Sequence, residues 1–404
     1  MKNNNRTKNT KKKLKKSAYL KSSLLILSVL IVIGIIVGLK INLKRKADKT
    51  VKIAFYMLND ELCGLIKNII PHDDNIIVEY DVISEKAMDL KFIRQKYDMI
   101  FTWRGDVTDS LYDSAEEIPS KILENIPVVL RDKKCAQILL DHCELAYSTK
   151  LLNSIEMNVP ETYTDFINSL SAAKSQVFSP FFCNGAENRI LVDFIGSQVL
   201  AKGGLGAYIQ LIKIMRKENS LYSIIDVSLD ENGFTLRSVL ENIKGWPQMG
   251  YTHPLWYNGK GNDLKNFAED GQIGVFFTLL SEHRKIPYNI IKNFESTFIP
   301  TNQNPQNYGV ISPAVSCMLL SDNSNCKRFL AEFYKVDVQT ELSNKTKLAP
   351  VHYRARAFDS QADDVRFWAA SCAGGAVPDI YLAVYQRKSD ALEKMAAEIR
   401  NYMR

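Results

Sequence analysis

Twelve aromatic residues fall where loops or strand ends are expected: Tyr56, Trp103, Phe181, Phe182, Trp246, Trp256, Tyr257, Phe276, Phe277, Tyr308, Trp368 and Tyr381. Flat rings stack on the apolar faces of sugar rings while Asn, Asp and Arg take the hydroxyls, so such a set suits a carbohydrate cleft. Core packing is the plain alternative, because large rings dominate interiors. About three or four of the twelve are expected to touch a ligand.

Catalytic patterns are missing. The sequence holds no H-E-x-x-H, no G-x-S-x-G, no Walker A loop and no G-x-G-x-x-G after a strand. Lys202-Gly203-Gly204-Leu205-Gly206 follows a helical pattern and reads as a helix C-cap and turn. His72, His142, His253, His283 and His352 are scattered singly, with no metal-ligand spacing. Asp73-Asp74, Glu116-Glu117 and Asp363-Asp364 could serve glycoside chemistry, but adjacent acids in polar surroundings read as solvated surface. No enzyme, no cofactor and no metal are expected.

The charge pattern separates a tail from a body. The 404 residues carry 52 Lys and Arg against 45 Asp and Glu, a net +7. Residues 1–49 hold 14 of those cations and one acid, so the remaining 355 carry 38 against 44, a net −6. An acidic body disfavours a nucleic-acid partner. Its apolar content of 46% is enough for a large core, and its length suggests two domains or two lobes.

Residues 24–39, LLILSVLIVIGIIVGL, extend through 18–20 to a length that can span a bilayer. Nine cations precede the run and five follow it, which places the first two dozen residues in the cytoplasm and the body outside. The expectation is a basic tail over 1–17, an uncleaved signal anchor over 18–41 and a linker over 42–50, since no Ala-x-Ala and no lipidation cysteine follows the run. The seven cysteines are odd in number and lack any C-x-x-C, so they read as buried small hydrophobes.

The elements that must position the aromatic set follow from periodicity. Strands are expected over 51–58, 75–83 and 97–103 with helices between, the signature of a parallel α/β sheet. Ligands sit beyond the carboxyl ends of such strands, which puts residues 56–59 and 102–106 at the mouth. A strand over 138–148 precedes helices over 163–174, 190–201, 208–216 and 234–249. Further strands are expected over 271–280 and 296–300. An asparagine-rich loop follows over 302–307, then helices over 326–334 and from an N-cap at Ser389 to the end.

Several segments together resemble the extracellular solute-binding proteins of ABC importers, in the maltose and multiple-sugar branch. VKIAFYML at 51–58 and YDMIFTW at 97–103, followed by Arg104-Gly105-Asp106, resemble the family's first strand and its Trp- and Asp-containing loop. LAYSTKLLNSIEMNVPETYTDFINSL, 145–170, is similar to its crossing strand, helix and V-P-E-T-Y motif. Residues 263–278 resemble the helix and buried strand that deliver side chains to ligand, and Tyr308-Gly309 the return crossing.

The resemblance implies a two-lobed α/β periplasmic-binding-protein type II fold with hinge crossing strands. Lobe 1 would comprise 51–146 and 286–345, and lobe 2 would comprise 147–285 and 346–404. Trp103 and Asp106 would be stacking and hydroxyl-binding groups, with Tyr56, Asn59 and Arg104 beside them. Asn184, Phe277, Thr278 and Tyr308 would be second-lobe and hinge contacts. Tyr381, after Pro378, stands where the family often carries a stacking Trp. The implied function is capture of a sugar or oligosaccharide and delivery to ABC permease subunits. His352, Arg354 and Arg356 leave an anionic ligand open. A ligand sensor for a signalling receptor and an anchored carbohydrate-active enzyme remain as alternatives.

Overall fold

The computed structural model describes residues 49–84, 89–302 and 309–404. The expected tail and anchor, most of the linker, and Tyr308 lie outside the described residues. By contacts the chain divides into a small unit, Met1–Val51 with Asp73–Glu79, and a large one, Lys52–His72 with Tyr80–Arg404. In the small unit the Asp73 carboxylate accepts the Asn75 N–H at 2.9 Å, and Ile77 donates its N–H to the Lys49 carbonyl at 2.8 Å.

Six strands build the first sheet: β1 (Thr50–Tyr56), β2 (Ile77–Ile83), β3 (Met99–Trp103), β4 (Ala136–Leu140), β10 (Ala314–Leu319) and β11 (Ala349–Pro350). Their order is β11-β4-β10-β3-β1-β2. β1 and β3 run parallel, with Ile53 opposite Met99 and Phe55 opposite Phe101, while β10 runs antiparallel to both β3 and β4. The second sheet takes β5 (Cys143–Ser148), β6 (Ser179–Cys183), β7 (Ile273–Leu279) and β8 (Phe294–Thr297) in the order β6-β7-β5-β8. β9 (Val310–Ile311) pairs in parallel with β12 (Ala376–Val377).

The apolar run 138–148, one strand by pattern, is two strands in different sheets. It breaks at Asp141-His142, where the chain passes from the first sheet to the second. Buried backbone at such a passage needs partners. Asp141 supplies them: its carboxylate accepts the N–H of His142 at 2.8 Å and of Ser281 at 2.9 Å, and its own N–H reaches the Pro313 carbonyl at 2.7 Å. The return passage, Ser312-Pro313, therefore lies against the outgoing one. Burial pushes the Asp141 carboxyl above the usual range, against the pull of the Ser281 and His142 hydrogen bonds.

Two short strands join these sheets from segments far along the chain. Phe294–Thr297 joins the second sheet, and Ala349–Pro350 joins the first, with the helix Ser360–Ser371 packed on β11. Edge strands of two to four residues are too short for periodicity to assign.

The segment Asn188–Met215 is two helical stretches that meet at a kink at Gly204, inside the break expected at 202–206. Only Gly204 leaves helical geometry, with φ at 75°, a region that glycine enters without steric cost. This helix alone among the described residues is long and apolar enough to cross a membrane, and it is mostly buried inside the protein. At the C-terminus Ser389 is the first residue of the helix Ser389–Met403, and the capping position belongs to Lys388, which makes no side-chain cap bond.

Two cores result. Behind β1, β3 and β10 pack Ile93, Val107, Leu111 and Met318. The larger core lies on the second sheet, where Trp246 is surrounded by Phe166, Phe181 and Phe194 with ring centroids 6.0, 5.2 and 6.1 Å away. Six of the seven cysteines are buried and Cys372 partly so; all are free thiols.

Candidate functional site

Most of the twelve aromatic residues are core. Phe181, Phe182, Trp246, Trp256, Tyr257 and Phe276 are buried, and so are Tyr56 and Phe277 of the expected site. Both of these sit at strand ends, but in a sheet covered on both faces a strand-end ring packs inward as readily as outward. Trp103, Trp368 and Tyr381 keep part of their surface exposed. Asn59 is a helix cap, accepting the Leu62 N–H at 2.8 Å.

Three expected residues do come together. A pocket of about 200 Å³ opens at the carboxyl ends of β6 and β7, lined by Asn184, Glu187, Thr278, Glu282 and Lys265, with Phe277 and Ile190 among its apolar walls. The turn that carries Asn184 depends on Gly185, whose added Cβ would stand 2.7 Å from the backbone of Tyr257. The Asn184 amide donates to Glu187 at 2.5 Å, while its carbonyl oxygen is buried without a partner. An orphaned acceptor facing inward wants a donor such as a hydroxyl. The helix Asn188–Met215 starts at this pocket and its N-cap, Glu187, makes no side-chain cap bond. Helices leave their first N–H groups without intrahelical acceptors, which favours a ligand oxygen there.

Within the first turn of that helix stands a group that the sequence reading does not mark. Arg189 reaches Asp379 at 2.7 Å and Asp193 at 3.4 Å, and its guanidinium lies 4.9 Å from the centre of the Tyr381 ring. The other oxygen of each carboxylate accepts a backbone N–H: Tyr381 to Asp193 at 2.9 Å and Leu382 to Asp379 at 2.6 Å. Tyr381 is thereby held through ring and backbone. Burial, with the nearby Asp379 charge, pushes the Asp193 carboxyl well above the usual range, although Arg189 pulls the other way.

The expected first-lobe groups meet the same segment. Arg104 donates to the Ala376 carbonyl at 3.0 Å, and Asp106 pairs with Arg387 at 2.6 Å. Thr102 accepts from Gln386 at 3.3 Å, and Asp109 pairs with Arg216. Arg104 and Asp106 are therefore engaged with the chain around residues 376–387, and Trp103 is the partly exposed ring of that corner. His352, Arg354 and Arg356 stand elsewhere, just after β11: His352 is buried, and the Arg356 N–H bonds Thr340 at 3.0 Å.

Gly105 makes the corner possible. A Cβ there would fall 2.2 Å from the Leu382 carbonyl oxygen, a backbone atom that cannot swing away. Gly105→Ala is expected to destabilise by about 1–3 kcal/mol, read as a lower melting temperature, because the overlap must be relieved by separating the two segments.

No protein-family model and no curated protein sequence matches the chain. Solved structures do. The binding protein MsmE of Bacillus subtilis, in an open conformation, aligns over 88% of this chain and 96% of its own, with a TM-score of 0.66 at 13% identity. The bacterial solute receptor AcbH, described as preferring β-D-galactopyranose, aligns over 88% and 95% with a TM-score of 0.66 at 11% identity. RafE of Streptococcus pneumoniae, in its apo form, aligns over 88% and 97% with a TM-score of 0.60 at 11% identity. The fold is that of the sugar-binding solute receptors. The resemblance read from sequence therefore holds at the level of the fold, over nearly the whole described body.

Proposed function

We propose that the chain is an extracytoplasmic solute-binding protein, anchored by residues 18–41, that captures a sugar or oligosaccharide between its lobes and delivers it to an ABC permease. The carrying observation is the alignment over 88% and 87% of the chain with structures described as complexes with raffinose and with stachyose. A neighbour described as a secreted solute-binding lipoprotein supports the extracytoplasmic body. Asn184 and Thr278 would take hydroxyls, and Trp103 and Tyr381 would supply ring faces. Tyr56 and Phe277 would shape the walls from behind, and the charged groups Arg104 and Asp106 would set how the lobes meet. Binding would favour the closed arrangement, which the permease reads.

The test is a thermal-shift screen of the full-length protein in detergent against sugars, oligosaccharides, amino acids, peptides and polyamines. A ligand at about 100 times its Kd adds about 2.7 kcal/mol to the folded state, so a shift of several degrees is expected with a saccharide. A shift with amino acids, peptides or polyamines and none with saccharides would overturn the sugar reading. A saccharide shift without co-purification of permease subunits would favour a sensor.

A further inference from the structure

Arg189 is charged, one-third exposed and already over-neutralised. Its Nε and Nη2 serve Asp193 and Asp379, both side chains fully buried, and Nη1 makes no hydrogen bond among the described residues. A guanidinium has five N–H groups in a planar fork, so donors remain for something outside the protein. The flat ion is stacked on Tyr381, the partly exposed ring after Pro378, and sits one residue before Ile190 of the pocket wall. The charge sum decides what it can hold. With both carboxylates ionised the group of three carries −1; with Asp193 protonated it is neutral. In neither state does it present a net positive charge, so it lacks the field that would pull in an anion.

We propose that Arg189 is a ligand-binding residue of this site, and that Asp193 and Asp379 make it a hydrogen-bond donor for the hydroxyls of a neutral saccharide rather than a counter-ion for an acidic one. This rests on the saccharide reading above and narrows its substrate class. The two carboxylates fix the fork and aim it, and Tyr381 provides the apolar ring face next to the donors. Adjacent hydroxyls of a sugar match such a paired fork and face. In the pocket beside it, Lys265 and Lys285 are balanced by Glu187 and Glu282, which gives no excess of positive charge there either.

The experiment is calorimetric titration of the full-length protein in detergent with galactose, raffinose and stachyose, and with galacturonate and trigalacturonate as acidic counterparts. A neutral sugar is expected to bind at least tenfold more tightly than its acidic counterpart. Arg189→Gln is expected to weaken neutral-sugar binding at least tenfold while the circular dichroism spectrum is kept. The double variant Asp193→Asn/Asp379→Asn leaves the guanidinium uncompensated and should shift the acid-to-neutral affinity ratio at least tenfold toward the acid, which a purely structural role would not do. That ratio still decides the matter if Arg189→Gln fails to fold. Unchanged neutral binding in Arg189→Gln, preference of the wild type for the acids, or an unmoved ratio in the double variant each overturns the assignment while leaving the saccharide reading intact. If no saccharide binds the wild type, both fall.

Discussion

Glu144→Ala is expected to cost about 3–5 kcal/mol and to remove a step from the acid-denaturation profile, because it leaves buried partners uncompensated. Glu144 lies on β5, next to the passage between the sheets, with no exposed surface. Its carboxylate pairs with His283, accepts from Gln361 at 2.9 Å and from Ser296 at 3.0 Å, and has the His142 ring nitrogen 3.8 Å away, beyond hydrogen-bond distance. Burial alone would raise this carboxyl. The charges of His283 and His142, with the His283 hydrogen bond, more than offset that and hold it at about 2, against an ordinary 4.5.

A folded-state value below the unfolded one contributes stability that is complete above about pH 4.5 and is lost as pH falls through about 2. A shift of that size corresponds to about 3 kcal/mol at full ionisation. Urea melts of wild type and variant between pH 6 and pH 2 should therefore converge at the acid end. Parallel curves would show that Glu144 does not carry the acid step.

Trp246→Ala should have a comparable effect for a different reason. The indole is fully buried within contact of Phe166, Phe181 and Phe194, and its N–H has no partner. Truncation removes the apolar area and leaves a cavity that the surrounding rings cannot fill, for an expected cost of about 3–5 kcal/mol. Trp246→Phe should cost markedly less, since it keeps a ring and deletes a buried donor that is unsatisfied. The check is the urea midpoint at constant m-value. Equal losses in the two variants would mean that ring volume is not what this position supplies.

The framework is legible where pattern and burial coincide. Alternating or continuous apolar runs at 51–58, 97–103 and 271–280 become β1, β3 and β7, because a strand covered on both faces needs little beyond β-branched and aromatic residues. The break at Asp141-His142 is not legible, since no glycine or proline marks it and the change of sheet is set by long-range partners such as Pro313. The pocket residues Asn184 and Thr278 are placed by the family resemblance: Thr278 lies within the strand expected over 271–280, whereas no strand is expected over 179–183 ahead of Asn184. Arg189, Asp193 and Asp379 are not placed, since residues 186 positions apart form one group only after folding. A signal existed nonetheless. Asp193 is the one charged residue in a largely apolar helical run, ILVDFIGSQVLA, and a lone carboxylate there demands a buried partner. The same holds for Glu144 within CELAYS.

The position of β10 bears on how the chain is made. This strand fills the gap between β3 and β4, yet its first residue follows Leu140 by 174 positions, with all four strands of the second sheet in between. At ribosomal rates of about 5–20 residues per second, the two flanking edges wait roughly 10 to 35 s for their neighbour. During that interval they are open templates for any other extended segment, and a chaperone that binds exposed strands would find its target in the first 140 residues.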